Sequence, residues 1–499
     1  MAPPVTEPVT AAIAPFLAGT NLAIGSDTVQ LGLLNAVYGP RRNAPLWVDS
    51  TGQPTPTALE AVALIGKADA EGLHPAAYHQ AALAALSQPH SPQESATFDL
   101  LLSDGMAMYL HDLRVGRTPI GPQRDASFNE PYDVPAGLLT AAAASPTDLD
   151  TLIAGLDPTL PDYAALKAAL ADLRQQADWP ALPPGGSLKP GMTGPDIAAL
   201  RTRLHVDPGK KPQFYDETLA GAVKAFQETH AIKDDGAVGK ETRQALDMPR
   251  SSRIDEVIAA MERLRWLQRD LGPRHVLVDV SGFWVRLVDN DQTTMQLPVI
   301  VGTDERETPQ LQSQIDTVVI NPTWTVPPTI IKEDLLPKLE SNPGYLAKRH
   351  IELFRKGDDG LEPASASELS HGNWSQFVFR QPAGEENPLG RYKLLFKNPY
   401  SIYLHDTPEK QKFSAALRTF SSGCVRVEDV RKLVDALLTG VRTDEQIDAA
   451  LATKETKSIH LPTPVPIYIF YASVWLGPQG QLIYGPDLYQ KDGELAGSL

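Results

Sequence analysis

The sequence predicts an α+β protein of several domains: a helical scaffold block, a small three-helix module, and a mostly β domain carrying a helical insertion. Three observations support this. Apolar residues recur at helical spacing from Asp27 to Ala177 and again from Asp196 to Leu271. From His275 onward the period shortens to that of strands. Between the helical stretches lies Trp179-Pro180-Ala181-Leu182-Pro183-Pro184-Gly185-Gly186, whose Pro and Gly pairs end one helix and resist another. A chain of 499 residues has room for about three such units.

Residues 1–26 are rich in Pro, Ala and Thr and read as a flexible N-terminus. The scaffold block, 27–180, begins with a short helix over Asp27–Tyr38 and a second over Thr57–Glu71. Its longest helix, Glu94–Val115, places Phe98, Leu101, Leu102, Tyr109, Leu110 and Leu113 on one stripe, with Gly116 as its stop. His74, His79 and His111 show no ligand spacing and read as surface or core residues. The module, 188–248, holds three short helices, the second starting at Asp216, a suitable N-cap. Residues 253–272 form an amphipathic connecting helix expected to pack on the scaffold. The β domain, 275–490, runs through strands at His275–Val288, Met295–Gly302, Thr317–Asn321, Phe377–Arg380, Tyr392–Phe396 and Ser401–His405. It ends with strands at Ile467–Leu476 and Gln481–Tyr484. Its insertion, 328–376, is polar and helical and then loops through Lys356–Gly360; an insertion of that size between strands reads as a lid.

Composition narrows the function. A formal charge of −16 argues against nucleic acid, because phosphate contact needs a basic surface. No run reaches the roughly 18 apolar residues of a membrane helix, so no transmembrane segment is expected. One cysteine in the whole chain excludes an internal disulfide and a multi-cysteine metal site. The start, Met1–Thr6, lacks the basic and apolar regions of an export signal, as does a chain whose signal peptide has been removed.

That cysteine, Cys424, sits in Ser421-Ser422-Gly423-Cys424-Val425-Arg426, fifteen residues after His405 at the end of an apolar strand. A thiol attacks carbonyls as thiolate, so it needs a neighbour that takes or repels its proton, and His405 is the candidate base. Gly423 allows a tight backbone turn, with the Gly423 and Cys424 amides as candidate oxyanion donors beside Ser422. Arg426, two residues on, shares the Cys424 side of an extended chain and suits a substrate carboxylate. An inert buried thiol, a core histidine and an arginine paired with a nearby acid fit the same spacing.

The three-helix module resembles the type 1 peptidoglycan-binding domain family. It matches at Leu200-x-x-Arg203-Leu204, at Thr218 with Ala222-Val223-x-x-Phe226-Gln227, and at Asp235-Gly236-x-Val238-Gly239-x-x-Thr242-x-x-Ala245-Leu246. Ala231 stands where that family has a helix-ending glycine, and a left-handed cap there costs Ala roughly 1 kcal/mol. Wall binding and a scaffold role both remain open for the module.

His405 with Ser421-x-Gly423-Cys424-Val425-Arg426 resembles the signature of the L,D-transpeptidase (YkuD-like) catalytic domain. The flanks agree at Val299–Gly302, Asn321–Pro327, Asn387–Tyr392 and Ile402–Asp406. With the helical block, the module and the insertion, the chain resembles the large YcbB-like branch. Ser422 departs from the histidine many members carry. The resemblance implies a transferase of peptidoglycan biosynthesis, serving cell-wall biogenesis and cell shape in the periplasm or cell envelope. Cys424 would form a thioester with a donor tetrapeptide stem, releasing D-alanine, and a diamino-acid acceptor would resolve it. His405 would move protons, Arg426 would orient the donor, and Tyr403 and Trp324 would wall the pocket. Carbapenem β-lactams are the implied inhibitors, and by the same resemblance no metal or other cofactor is needed. Water or a protein amine as acceptor, giving an L,D-carboxypeptidase, an amidase or an anchoring enzyme, stays open, as does a non-catalytic wall-binding scaffold.

Overall fold

The computed structural model describes residues 7–20, 23–25, 27–118, 123–124, 136–267, 270–357, 360–369, 372–477 and 479–499. His371 and the Asp358-Asp359 turn lie outside them. The chain forms two compact units: residues 1–121, 130–269 and 473–499 make one, and 122–129 with 270–472 make the other. No helix among the described residues is long and apolar enough to cross a membrane.

The first unit contains the helical block and the three-helix module. Its long helix, Pro92–Val115, is capped by Ser91 accepting the Glu94 N–H and is buried along most of its length. Three of its buried positions are acidic: Asp99, Asp104 and Asp112. Asp99 accepts the backbone N–H groups of Leu46, Trp47 and Val48 and the Tyr38 hydroxyl, so the carboxylate fastens the proline-broken segment that the stripe alone leaves unexplained. The flexible N-terminus expected for residues 1–26 is corrected: Glu7–Ala18 is a helix whose Val9, Ile13 and Leu17 enter the same core. These apolar residues fall at i, i+4 and i+8, hidden by the Pro and Ala between them.

The module closes on Ile197, Leu200, Tyr215, Leu219, Val223, Val238 and Leu246. Asp216 caps its second helix through the Leu219 N–H, and Ala231 takes the left-handed conformation, φ 51°. The connecting helix runs Arg250–Arg265 and contacts the helices Pro161–Gln175 and Asp492–Ser498. Its Arg265 is buried against Glu262, Tyr163 and the Glu71 carbonyl. A second correction concerns the C-terminus. Val474–Leu476 and Leu482–Tyr484 pair with each other, and the segment from Ser473 belongs to this helical unit, fastened by Asp162 to the Leu476 N–H and by Arg263 to Asp492.

The second unit is built on a sheet that closes on itself. The strands follow in the order Tyr392–Phe396, Leu404–His405, Val425–Val427, Gln292–Gly302, Trp284–Asp289, Arg274–Asp279, Lys457–Phe470 and Leu311–Ile320. The last pairs back onto the first, Tyr392 opposite Ile320. The insertion is helical in its first half, Pro328–Lys348, as expected, but its second half, expected to be a loop, contains strands. Glu352–Gly357 and Gly360–Ala364 form a hairpin in a four-stranded sheet with Phe377–Gln381 and Trp324–Thr325. Val326, Ile331, Leu335, Leu336, Leu353, Phe377 and Phe379 share a core of their own there.

Candidate active site

His405 lies on a two-residue strand between two neighbours. Lys393 is opposite it on one side in antiparallel register, and Arg426 on the other side in parallel register. Residues directly opposite in a sheet share a face, and alternation adds Tyr403 and Cys424 to that face. Sheet register thus gathers an imidazole, a thiol, a phenol and two cations.

The turn before Cys424 is held from several sides. Gly423 has φ 101°, and a Cβ there would lie 3.2 Å from the Glu307 carbonyl, so glycine is required by conformation as well as space. The Ser421 hydroxyl donates to the Cys424 carbonyl at 2.5 Å and accepts the Gly423 N–H at 3.1 Å. Thr308 donates to the Gly423 carbonyl and accepts the Gly302 N–H, each at 2.9 Å. This corrects the expectation of two oxyanion amides: the Gly423 N–H is engaged by Ser421, leaving the Cys424 N–H as the candidate donor.

His405 is buried, and its Nδ1 lies 2.5 Å from the Asp406 carbonyl oxygen. A carbonyl only accepts, so Nδ1 carries the proton and Nε2 keeps its lone pair. Burial, the Arg426 charge and, more weakly, Lys393 and Lys410 bring its pKa down to about 3. Asp406 is fixed in turn by the Arg391 N–H at 2.8 Å and Lys410 at 2.6 Å, in space open only because Gly390 lacks a Cβ. Burial pushes the Cys424 thiol up; the Tyr403 N–H, Lys393, Arg426 and the Tyr403 hydroxyl pull in the other direction.

Cys424, His405, Gly423, Ser422, Arg426, Tyr403 and Trp324 all line one cavity of about 450 Å³. Arg426 is not a bare anion receptor: Nη1 pairs with Glu409 at 2.6 Å, while its buried Nε has no partner. The side chain of Ser422 accepts from Arg306 Nη1 at 3.0 Å. Arg306 also lines the cavity and binds both oxygens of Asp334, at 2.7 and 3.0 Å, and Glu333 at 2.9 Å, tying the insertion to the cysteine turn. Sequence reasoning missed Arg306, Glu409 and Lys393. The only local signal was the strand alternation that sets Lys393 beside Tyr392.

A closed β domain with a thiol and an imidazole in one cleft, accompanied by a small helical module, defines a cysteine- and histidine-bearing, multidomain class of protein. Comparison with known families makes this specific. Residues 273–456 match the L,D-transpeptidase catalytic domain (YkuD), residues 32–170 a scaffold domain, and residues 193–246 the "Putative peptidoglycan binding domain". The chain therefore carries an L,D-transpeptidase catalytic domain together with a peptidoglycan-binding domain. A curated protein of Haemophilus influenzae, named "Putative L,D-transpeptidase", is 33% identical over 221 residues, 44% of this chain and 45% of that protein. The chain thus spans about half the length of the curated relative it matches. Solved L,D-transpeptidase structures also align. That from Xylanimonas cellulosilytica has 16% identity and a TM-score of 0.18, covering 57% of this chain and 98% of its own. That from Stackebrandtia nassauensis has 13% identity and a TM-score of 0.22, covering 58% and 96%. At such scores these structures carry no weight beside the family models.

Proposed function

We propose that this protein is a peptidoglycan L,D-transpeptidase working through a cysteine thioester in the cell envelope, on the periplasmic side. The observation that carries the reading is Cys424 and His405 lining one cavity from neighbouring strands, with Nδ1–H tied to a carbonyl and the Nε2 lone pair kept for proton transfer. His405 takes the thiol proton as sulfur attacks the carbonyl carbon before the terminal D-alanine of a donor tetrapeptide. The C–N bond breaks, His405 returns the proton to the leaving amine, and D-alanine departs from a thioester. The side-chain amine of a diamino-acid acceptor then attacks the thioester and gives up a proton to His405. The C–S bond breaks, and sulfur recovers its proton as the cross-link forms.

Arg426 lines the cavity and suits the donor carboxylate, and Trp324 and Tyr403 wall it. The peptidoglycan-binding domain would keep the enzyme on its polymer. Carbapenems, strained acyl donors, would acylate Cys424. Mass spectrometry of tetrapeptide muropeptides incubated with the protein tests the reading. Cross-linked dimers and free D-alanine are expected from the wild type and neither from a folded Cys424→Ala variant. Trimmed tripeptides without dimers would make water the acceptor. Transfer surviving in Cys424→Ala would sink the thioester altogether.

A further inference from the structure

Three of the cations around Cys424 and His405 have acidic partners: Arg426 pairs with Glu409, Lys410 with Asp406, and Arg306 with Glu333 and Asp334. Lys393 does not. Among the described residues no carboxylate pairs with it, although its side chain is half-buried. Its Nζ lies 3.6 Å from the centroid of the Tyr403 ring, and Tyr403 presents both its N–H and its hydroxyl to the Cys424 sulfur. An ammonium withdrawn from water without a counter-ion is costly, and the anion this arrangement offers is the Cys424 sulfur once it loses its proton. The two groups interact: burial lowers the Lys393 pKa and the Cys424 charge opposes it, while burial raises the thiol and the Lys393 charge opposes that. His405 is neutral at working pH and therefore does not fill this role at rest.

We infer that Lys393 is a positioning residue of the nucleophile, the cation that steadies the Cys424 sulfur as it gives up its proton to His405, with Tyr403 between them. The inference rests on Cys424 being the nucleophile. The charged and titratable groups around the pair are Tyr403 and His405 on the neighbouring strand, Arg426 beyond it, and Lys410 and Glu409 in the following loop. Lys410, Arg426 and Arg306, the three other cations nearby, each carry a carboxylate. Lys393 also lines a second cavity, of about 450 Å³, that shares Pro327, Ser401 and Tyr403 with the first, so it is open to a competing role as a carboxylate receptor.

Because Cys424 is the only cysteine, iodoacetamide alkylation of the full-length protein reads its thiolate without any substrate. Alkylation rates would be followed from pH 5 to 10 for the wild type, Lys393→Met, Lys393→Gln and Lys393→Arg, with thermal melts to verify folding. The expected result is a titration displaced upward by about one unit in the Met and Gln variants, hence about tenfold slower alkylation at pH 7, with Arg within about threefold of wild type. A Met or Gln profile superimposed on the wild type overturns the inference. So does a loss of muropeptide transfer with no displaced titration, which makes Lys393 a substrate residue. A displaced titration in a protein that transfers nothing upholds the counter-ion and removes only the proposed reaction.

Discussion

His405 should remain neutral far below the pH at which a histidine ordinarily protonates. Burial is the largest cause and Arg426 the next, and together with Lys393 and Lys410 they bring the pKa to about 3 against the pull of the Asp406 carbonyl. At pH 5 an ordinary imidazole of pKa about 6.5 is only about 3% neutral, whereas one near 3 is about 99% neutral, roughly a thirtyfold difference in available base. Histidine-selective 15N NMR between pH 7.5 and 4, with His405→Gln to assign the signal, measures it directly. No titration step is expected down to pH 4, and Arg426→Gln should raise the midpoint by about one unit, limited because Glu409 already offsets much of that charge. The sign for stability follows from the same shift. The folded pKa lies below the unfolded one, so the benefit of a neutral His405 is complete above about pH 6.5 and is lost progressively as pH falls toward 3. The wild type should therefore lose ground to His405→Gln by up to about 1.4 kcal/mol per pH unit below 6.5 in urea unfolding. A His405 midpoint between 6 and 7 would refute the reasoning.

Two predictions test the supports of the fold. Ala231 holds φ 51°, a conformation costing an alanine about 1–2 kcal/mol, of which a glycine's extra unfolded-state freedom returns about half; Ala231→Gly should stabilise the module by about 0.5–1 kcal/mol in urea unfolding, and any destabilisation contradicts the cap. Arg306→Met removes the links to Asp334, Glu333 and Ser422; amide exchange over 331–341 should accelerate about five- to thirtyfold while the closed sheet is unaffected, and unchanged exchange would mean the ion pairs do not hold the insertion.

What the sequence makes legible depends on whether the signal is local. The stripe of Pro92–Val115 is written in consecutive residues, and so is the Cys424 turn with its obligatory glycine; of the strand expected over Ser401–His405 only Leu404–His405 forms, because Ser401 takes a left-handed conformation. The hairpin inside the insertion is obscured because Glu352–Gly357 buries only Leu353, so its alternation carries almost no hydrophobic contrast. The strands at 474–484 read correctly as strands, but period says nothing of which unit a strand joins. Lys393 reaches the site by pairing with His405 across the sheet, and Glu409 and Arg306 arrive on loops; no spacing along the chain announces any of them. Conversely, flanking residues that look like part of a catalytic signature work as supports. Gly390 makes room for Asp406, and the Asn387 side chain donates to the Pro322 and Pro382 carbonyls.

A chain of net charge −16 builds its cleft from cations and then neutralises most of them with its own acids. For Arg426 this changes what binding a carboxylate means. The guanidinium already holds Glu409 at 2.6 Å, and Lys412 shares that carboxylate at 2.8 Å, so a donor carboxylate gains the difference between two ion pairs rather than a whole one. Glu409→Gln should then expose the full charge. Under the proposed reaction, KM for a tetrapeptide donor should fall about three- to tenfold, the order expected when one charge-assisted hydrogen bond no longer faces an internal competitor. The same substitution leaves His405 facing an unshielded Arg426, which holds the imidazole neutral to still lower pH, so kcat at pH 7 should change little. Glu409 would instead be a support that keeps Arg426 in place if Glu409→Gln raised KM. Arg426→Lys separates the two further: with Glu409 intact it keeps the charge but loses the planar fork that can hold Glu409 and a second anion together, and donor binding should weaken although a cation remains beside Glu409.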